Sequence, residues 1–220
     1  MNDKKRACFF DDSDTQSVSR AKRRRRVGRE WTRHLEMNET LTATVARHWQ
    51  QCDKVNGRRY DDERLVSPVG TSSGQYRLFI TNYNSANEAA TLLKHEIVAV
   101  LSLGSSNALH QSTLQVLRNE KDAYMLLNVR DEQTLDNVAQ VQTSVLPHSR
   151  RFLGKWLERG NVLVHCNRGV CRSPLIVLDY LLNVEKCTIE QAARLLTRRR
   201  WCVSPQPTLL QALFESVKRQ

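Results

Sequence analysis

Residues 162 to 174 read Val-Leu-Val-His-Cys-Asn-Arg-Gly-Val-Cys-Arg-Ser-Pro, which sets the thiol of Cys166 and the guanidinium of Arg172 in one short loop. The apolar run Val162-Leu163-Val164 reads as a strand that delivers Cys166, and Leu175 to Leu182 reads as a helix beyond Arg172. A strand, a tight loop and a helix N-terminus in that order make a cradle for a phosphate dianion. The loop's main-chain N–H groups and the positive end of the helix dipole both point into it. Asn167, Arg168, Gly169, Val170, Cys171 and Arg172 are therefore the expected substrate-binding residues. The same field favours a thiolate, so Cys166 is expected to ionise below the roughly 8.5 of a free cysteine. Arg172 can clamp two phosphate oxygens with its planar fork. Gly169 can take the positive φ that such a curl needs.

His165-Cys166, five intervening residues and Arg172-Ser173 after an apolar strand resemble the cysteine-based protein tyrosine phosphatases, and Arg172-Ser173-Pro174 is most similar to the dual-specificity branch. The resemblance covers residues 61 to 220, a catalytic domain. It implies a two-step reaction on phosphotyrosine and phosphoserine or phosphothreonine in proteins. Cys166 attacks phosphorus, and water then hydrolyses the cysteinyl-phosphate. Arg172 stabilises the transferring oxygens. Ser173 hydrogen-bonds the sulfur and helps it leave, and His165 positions the loop. A general acid must protonate the leaving oxygen. Asp131, just past the apolar run Tyr124 to Val129, fits the family's pattern for that acid. Asp136 lies closer to the usual separation from Cys166 and is the alternative, with Glu132 adjacent to Asp131. The same loop chemistry serves phosphoinositide and RNA 5′-phosphate hydrolysis. Those relatives more often carry Lys in the loop or end it Arg-Thr-Gly, features missing here. A catalytically silent phosphoprotein-binding module is a further, weaker alternative. Neither a cofactor nor a metal is expected.

Two departures from the family pattern stand out. Cys171 occupies the place of a usual Ser, as a small replacement or as a resolving thiol for an oxidised Cys166. Val203-Ser204-Pro205-Gln206-Pro207 replaces a segment that borders the pocket in relatives, making Ser204 and Gln206 candidates to contact the loop.

These residues need a frame. Tyr76 to Thr81, the near-continuous apolar run Ile97 to Leu103, and the strands before Asp131 and Cys166 alternate with amphipathic segments. That pattern predicts an α/β fold, a mostly parallel central sheet flanked by helices on both faces. The phosphate-binding loop then joins a central strand to a helix, at the carboxyl edge where such sheets bind ligands. Leu65-Val66 reads as a short first strand, and Pro68 to Gly74 as a loop. Ser85 and Glu88 read as a capping box over a helix whose apolar face is Ala89, Leu92 and Leu93. A helix over Pro147 to Arg159 is expected to end with Gly160 in the left-handed position. Thr188 and Gln191 form a second capping box, and Leu209 to Val217 is amphipathic.

Composition bounds the rest. A chain of 220 residues with 40% hydrophobic content suits one α/β domain with an extension. Residues 1 to 30 read as a disordered basic arm and 31 to 60 as a helical extension and linker. The net charge of +11 is concentrated in part at Arg20 to Arg26. Such an arm can hold an acidic protein, nucleic acid or an import receptor. Arg198-Arg199-Arg200 reads as a solvated cluster at a helix end. No apolar run reaches the roughly 18 residues of a membrane span. The six cysteines lack paired spacing, which suits a reducing compartment, cytoplasmic or nuclear.

Overall fold

The computed structural model describes residues 67–69, 76–117, 122–130, 134–200 and 202–218. The basic arm, the helical extension, Leu65-Val66, Asp131 and Glu132 lie outside the described residues. Five strands form one sheet in the order β1-β2-β5-β3-β4. They are β1 (Ser67–Val69), β2 (Leu78–Thr81), β3 (Ile97–Leu103), β4 (Tyr124–Leu127) and β5 (Asn161–His165). β2, β5, β3 and β4 run parallel, and β1 pairs antiparallel with β2. The sheet is thus mostly parallel, with helices packed around it. Pro68, expected in a loop, sits within β1, where an edge strand tolerates a residue without an N–H.

β5 is the middle strand, and Val162, Leu163 and Val164 are fully buried, as a strand covered on both faces requires. Its register with its neighbours fixes the site. Thr81 of β2 and Ser102 of β3 both lie opposite His165. The chain leaves the sheet there, at the carboxyl edge, and re-enters regular structure at α6 (Arg172–Asn183). The other α-helices among the described residues are α1 (Tyr83–Ala86), α2 (Ala89–Lys94), α3 (Gln111–Leu114), α4 (Leu135–Gln140), α5 (Leu146–Leu157), α7 (Ile189–Arg199) and α8 (Pro207–Lys218). Arg150 of α5 donates from Nε to Asp179 of α6 at 2.7 Å and from Nη2 to Ser216 of α8 at 2.6 Å. Those bonds tie α5 to α6, the helix behind the loop, and to α8.

Three local expectations are corrected. Asn82, not Ser85, caps the first helix, its Oδ1 accepting from the Ser85 N–H at 2.9 Å, so Ser85 lies inside α1. Leu93 is 64% exposed and does not belong to the apolar face. The helix expected at Pro147 forms as α5, with Pro147 in its first turn, and the chain before it is helical too, as α4, capped by Thr134, and a π segment, Val141–Val145. That wider turn precedes Pro147, whose ring and missing N–H break regular α-helical bonding. Gly160 does not take a positive φ. A Cβ there would meet Val98 at 2.6 Å, so the glycine answers to space. The Thr188–Gln191 capping box forms as expected.

Candidate active site

Cys166 follows directly on β5 and is 2% exposed. Its Sγ lies 3.4 Å from Ser173 Oγ, in the first turn of α6. Burial alone would push this thiol up. The Ser173 hydroxyl and N–H, the Arg172 charge and the Gly169 N–H outweigh it, leaving the thiol below its ordinary value. Hydrogen bonds and opposite charge favour the ionised form, as desolvation does not. The arrangement therefore favours the thiolate of Cys166 despite its burial.

Arg172 opens α6 and donates from Nη1 to the Val129 carbonyl at 3.1 Å, so it reaches the segment after β4. Gly104, at φ +104, ends β3 beside that guanidinium, and a Cβ there would collide with it. Cys166, Asn167, Arg168, Val170, Cys171, Arg172, Ser204 and Gln206 line a cavity of about 260 Å³. Five of the six residues expected to bind substrate thus face one concavity. Gly169 does not line it. Its φ of +69 turns it under the loop, where a Cβ would meet the Thr81 carbonyl at 2.5 Å. Ser204 N–H donates to the Val170 carbonyl at 2.7 Å, so the Val203–Pro207 segment forms a wall of the site.

His165 is fully buried. Its Nε2 lies 2.6 Å from Ser102 Oγ, the residue opposite it on β3. Burial holds its pKa down to about 4, against a smaller opposing contribution from the Cys166 backbone. The ring is therefore neutral at physiological pH. An unfolded chain takes up this proton near 6.5, the folded one only near 4. The stability His165 confers is thus complete above that window and is lost as pH falls through it. Acidification to about pH 4 should cost roughly 3 kcal/mol through this residue. Urea midpoints followed against pH should fall more steeply for wild type than for His165→Asn.

Asp131 lies outside the described residues, two positions beyond the Val129 carbonyl that Arg172 holds. Asp136 is exposed in the first turn of α4 and does not line the cavity. Cys166 and Cys171 both line the cavity, and neither is in a disulfide. Arg200, read from the sequence as a solvated helix-end cation, is instead 1% exposed and packed against the loop. Guanidinium heads are almost never buried without such partners, and its pattern in sequence gave no sign of them.

This loop, sheet and helix order also matches a known family. The family model described as "Dual specificity phosphatase, catalytic domain" fits residues 78–219. The chain belongs to the dual specificity phosphatase family. It is 31% identical over 127 residues to mouse dual specificity protein phosphatase 19, covering 51% of this chain and 57% of that protein. It is 31% identical over 166 residues to human protein phosphatase Slingshot homolog 3, covering 69% of this chain and 25% of that one. The chain thus spans about half the length of one relative and a quarter of the other. In fold it is similar to the Yvh1 phosphatase domain of Chaetomium thermophilum, with a TM-score of 0.57 and 20% identity over 70% of this chain and 96% of that one. Ser204 and Gln206 line the cavity, as their place in the sequence hinted, whereas the contact of Arg200 with the loop was missed.

Proposed function

We propose that this chain hydrolyses phosphotyrosine and phosphoserine or phosphothreonine in proteins through a cysteinyl-phosphate. One observation carries the reading. Cys166 is buried yet held toward its anion by Ser173, Gly169 and Arg172, at the floor of a cavity beside a helix N-terminus. The Cys166 sulfur attacks phosphorus while the bond to the leaving oxygen breaks. Asp131 gives that oxygen a proton, since a seryl or tyrosyl alkoxide leaves poorly. Arg172 and the loop N–H groups balance the charge on the three transferring oxygens. Water then displaces the sulfur, returning its proton to Asp131, and the Ser173 hydroxyl stabilises the departing thiolate. His165, neutral and bonded to Ser102, sets the start of the loop and transfers no proton.

Protein rather than lipid or RNA substrates are favoured by the family match and by relatives named protein phosphatases. The test is a panel of phosphotyrosyl and phosphothreonyl peptides, phosphoinositides in mixed micelles, and 5′-triphosphorylated RNA. Peptide turnover inhibited by vanadate is the expected result. A higher kcat/KM for the lipid or the RNA would overturn the choice of substrate class.

A further inference from the structure

A loop can aim its N–H groups inward only if its carbonyls point outward, and buried carbonyls need donors. Around this loop the donors come from several elements. Tyr83 N–H donates to Asn167 O at 2.9 Å, Ser204 N–H to Val170 O at 2.7 Å and Leu175 N–H to Cys171 O at 3.2 Å. The carbonyls between them meet a side chain. Arg200 donates from Nε to Gly169 O at 2.7 Å and from Nη2 to Arg168 O at 3.3 Å. Its Nη1 reaches Ser67 Oγ on β1 at 3.3 Å.

Arg200 comes to this place because α7 ends there. Its N–H still closes the last turn on Leu196 O at 2.8 Å. Its own backbone is extended, at φ −141 and ψ 96, which turns the side chain off the helix and under the loop. Gly169 leaves the room, since a Cβ at that position would lie 2.7 Å from Arg200 Nη2. A wholly buried guanidinium is a poor source of stability, because an apolar side chain of similar volume fills space without the desolvation cost. What an apolar side chain cannot do is turn two adjacent carbonyls away from the cavity.

We propose that Arg200 is a positioning residue of the phosphate-binding loop, holding the Arg168 and Gly169 carbonyls outward so that the loop's N–H groups converge on the substrate phosphate. The proposal rests on the phosphatase reading above. It acts through Gly169 as well, whose N–H is one of the groups that stabilise the Cys166 thiolate.

Arg200→Gln and Arg200→Lys in the full chain test it by four readouts: kcat/KM on an aryl phosphate, Cys166 alkylation by iodoacetamide against pH, calorimetric binding of tungstate, and the thermal midpoint. Misplacing reacting groups by about 1 Å can cost roughly 100-fold, and Arg200→Gln should lose activity on that scale. Its Cys166 should ionise at higher pH than in wild type, and its tungstate affinity should fall. Arg200→Lys keeps the charge, but its freely rotating donors lack the planar fork that sets Nε and Nη2 on adjacent carbonyls, so it should fall between wild type and Arg200→Gln. Normal thiol ionisation and tungstate affinity in Arg200→Gln, with only the midpoint lowered, would overturn the proposal. Should Arg200→Gln not fold, a lysine variant equal to wild type in alkylation and tungstate binding overturns it equally. The wild-type controls separate the two readings. Wild type that binds tungstate with an acidic thiol but turns over no phosphoester defeats the catalytic reading alone.

Discussion

Replacing Cys166 with Ser should abolish turnover while leaving phosphopeptide binding in place. The two side chains differ by one atom and little in volume, so the cavity keeps its shape. They differ widely in acidity. The Ser173 hydroxyl, the N–H groups of Ser173 and Gly169 and the Arg172 charge outweigh burial for a thiol, which starts from a value near 8.5. The same field acting on an alcohol leaves it protonated and a poor nucleophile. Removal of the nucleophile in a comparable covalent mechanism costs roughly 10⁶-fold in kcat, and a loss on that scale is expected here. Single-turnover kinetics on a phosphotyrosyl peptide measure it, with peptide affinity read separately by calorimetry. The variant should hold its peptide at least as tightly as wild type, because an anionic sulfur facing a phosphate dianion is removed. Residual turnover above about 1% of wild type would place the nucleophile elsewhere, since an oxyanion site and binding alone retain only about 10³–10⁴ over water. Weak peptide binding with intact folding would show that the 260 Å³ cavity is not the phosphate site.

What the sequence disclosed and what it hid follow from the range of the interactions concerned. β3 was legible to the residue because seven consecutive apolar or small positions, Ile97–Leu103, have one stable home in a parallel sheet. The loop was legible because its chemistry is contiguous. Cys166, Gly169, Arg172 and Ser173 act within one turn of chain, so their spacing is itself the geometry. Capping at Thr188 is local for the same reason. Arg200 was illegible because its partners lie 31, 32 and 133 residues away. Nothing in the run Arg198-Arg199-Arg200 distinguishes the third arginine, and only the end of α7 turns it inward. Gly160 was misread because its cause is Val98 on a neighbouring element. The start of α4 was missed because Pro147 reads as a helix opening. Pro147 does open α5, and α4 and a π segment run into it from upstream.

Arg172→Lys is expected to lower kcat by about 10²–10³-fold, with a much smaller change in the ionisation of Cys166. The two effects separate because Arg172 does two things. Its charge favours the thiolate, and a lysine at the same position still supplies a cation. Its planar fork does what a lysine cannot. Nη1 is committed to the Val129 carbonyl at 3.1 Å, and the same side chain lines the cavity. In the proposed reaction one group thereby links the segment leading to Asp131 with the phosphate oxygens, and Gly104 leaves room for it, since a Cβ there would collide with Arg172 Nη1. An ammonium has no plane with which to span both, and its hydrogen bonds have no fixed direction. The loss should fall on kcat more than on KM, since the equatorial oxygens draw on the fork most as charge develops on them. Alkylation of Cys166 against pH and steady-state kinetics on one preparation give both numbers. A lysine variant within about threefold of wild type in kcat would reduce Arg172 to a point charge, because electrostatic contributions of that kind survive the exchange while bidentate ones do not.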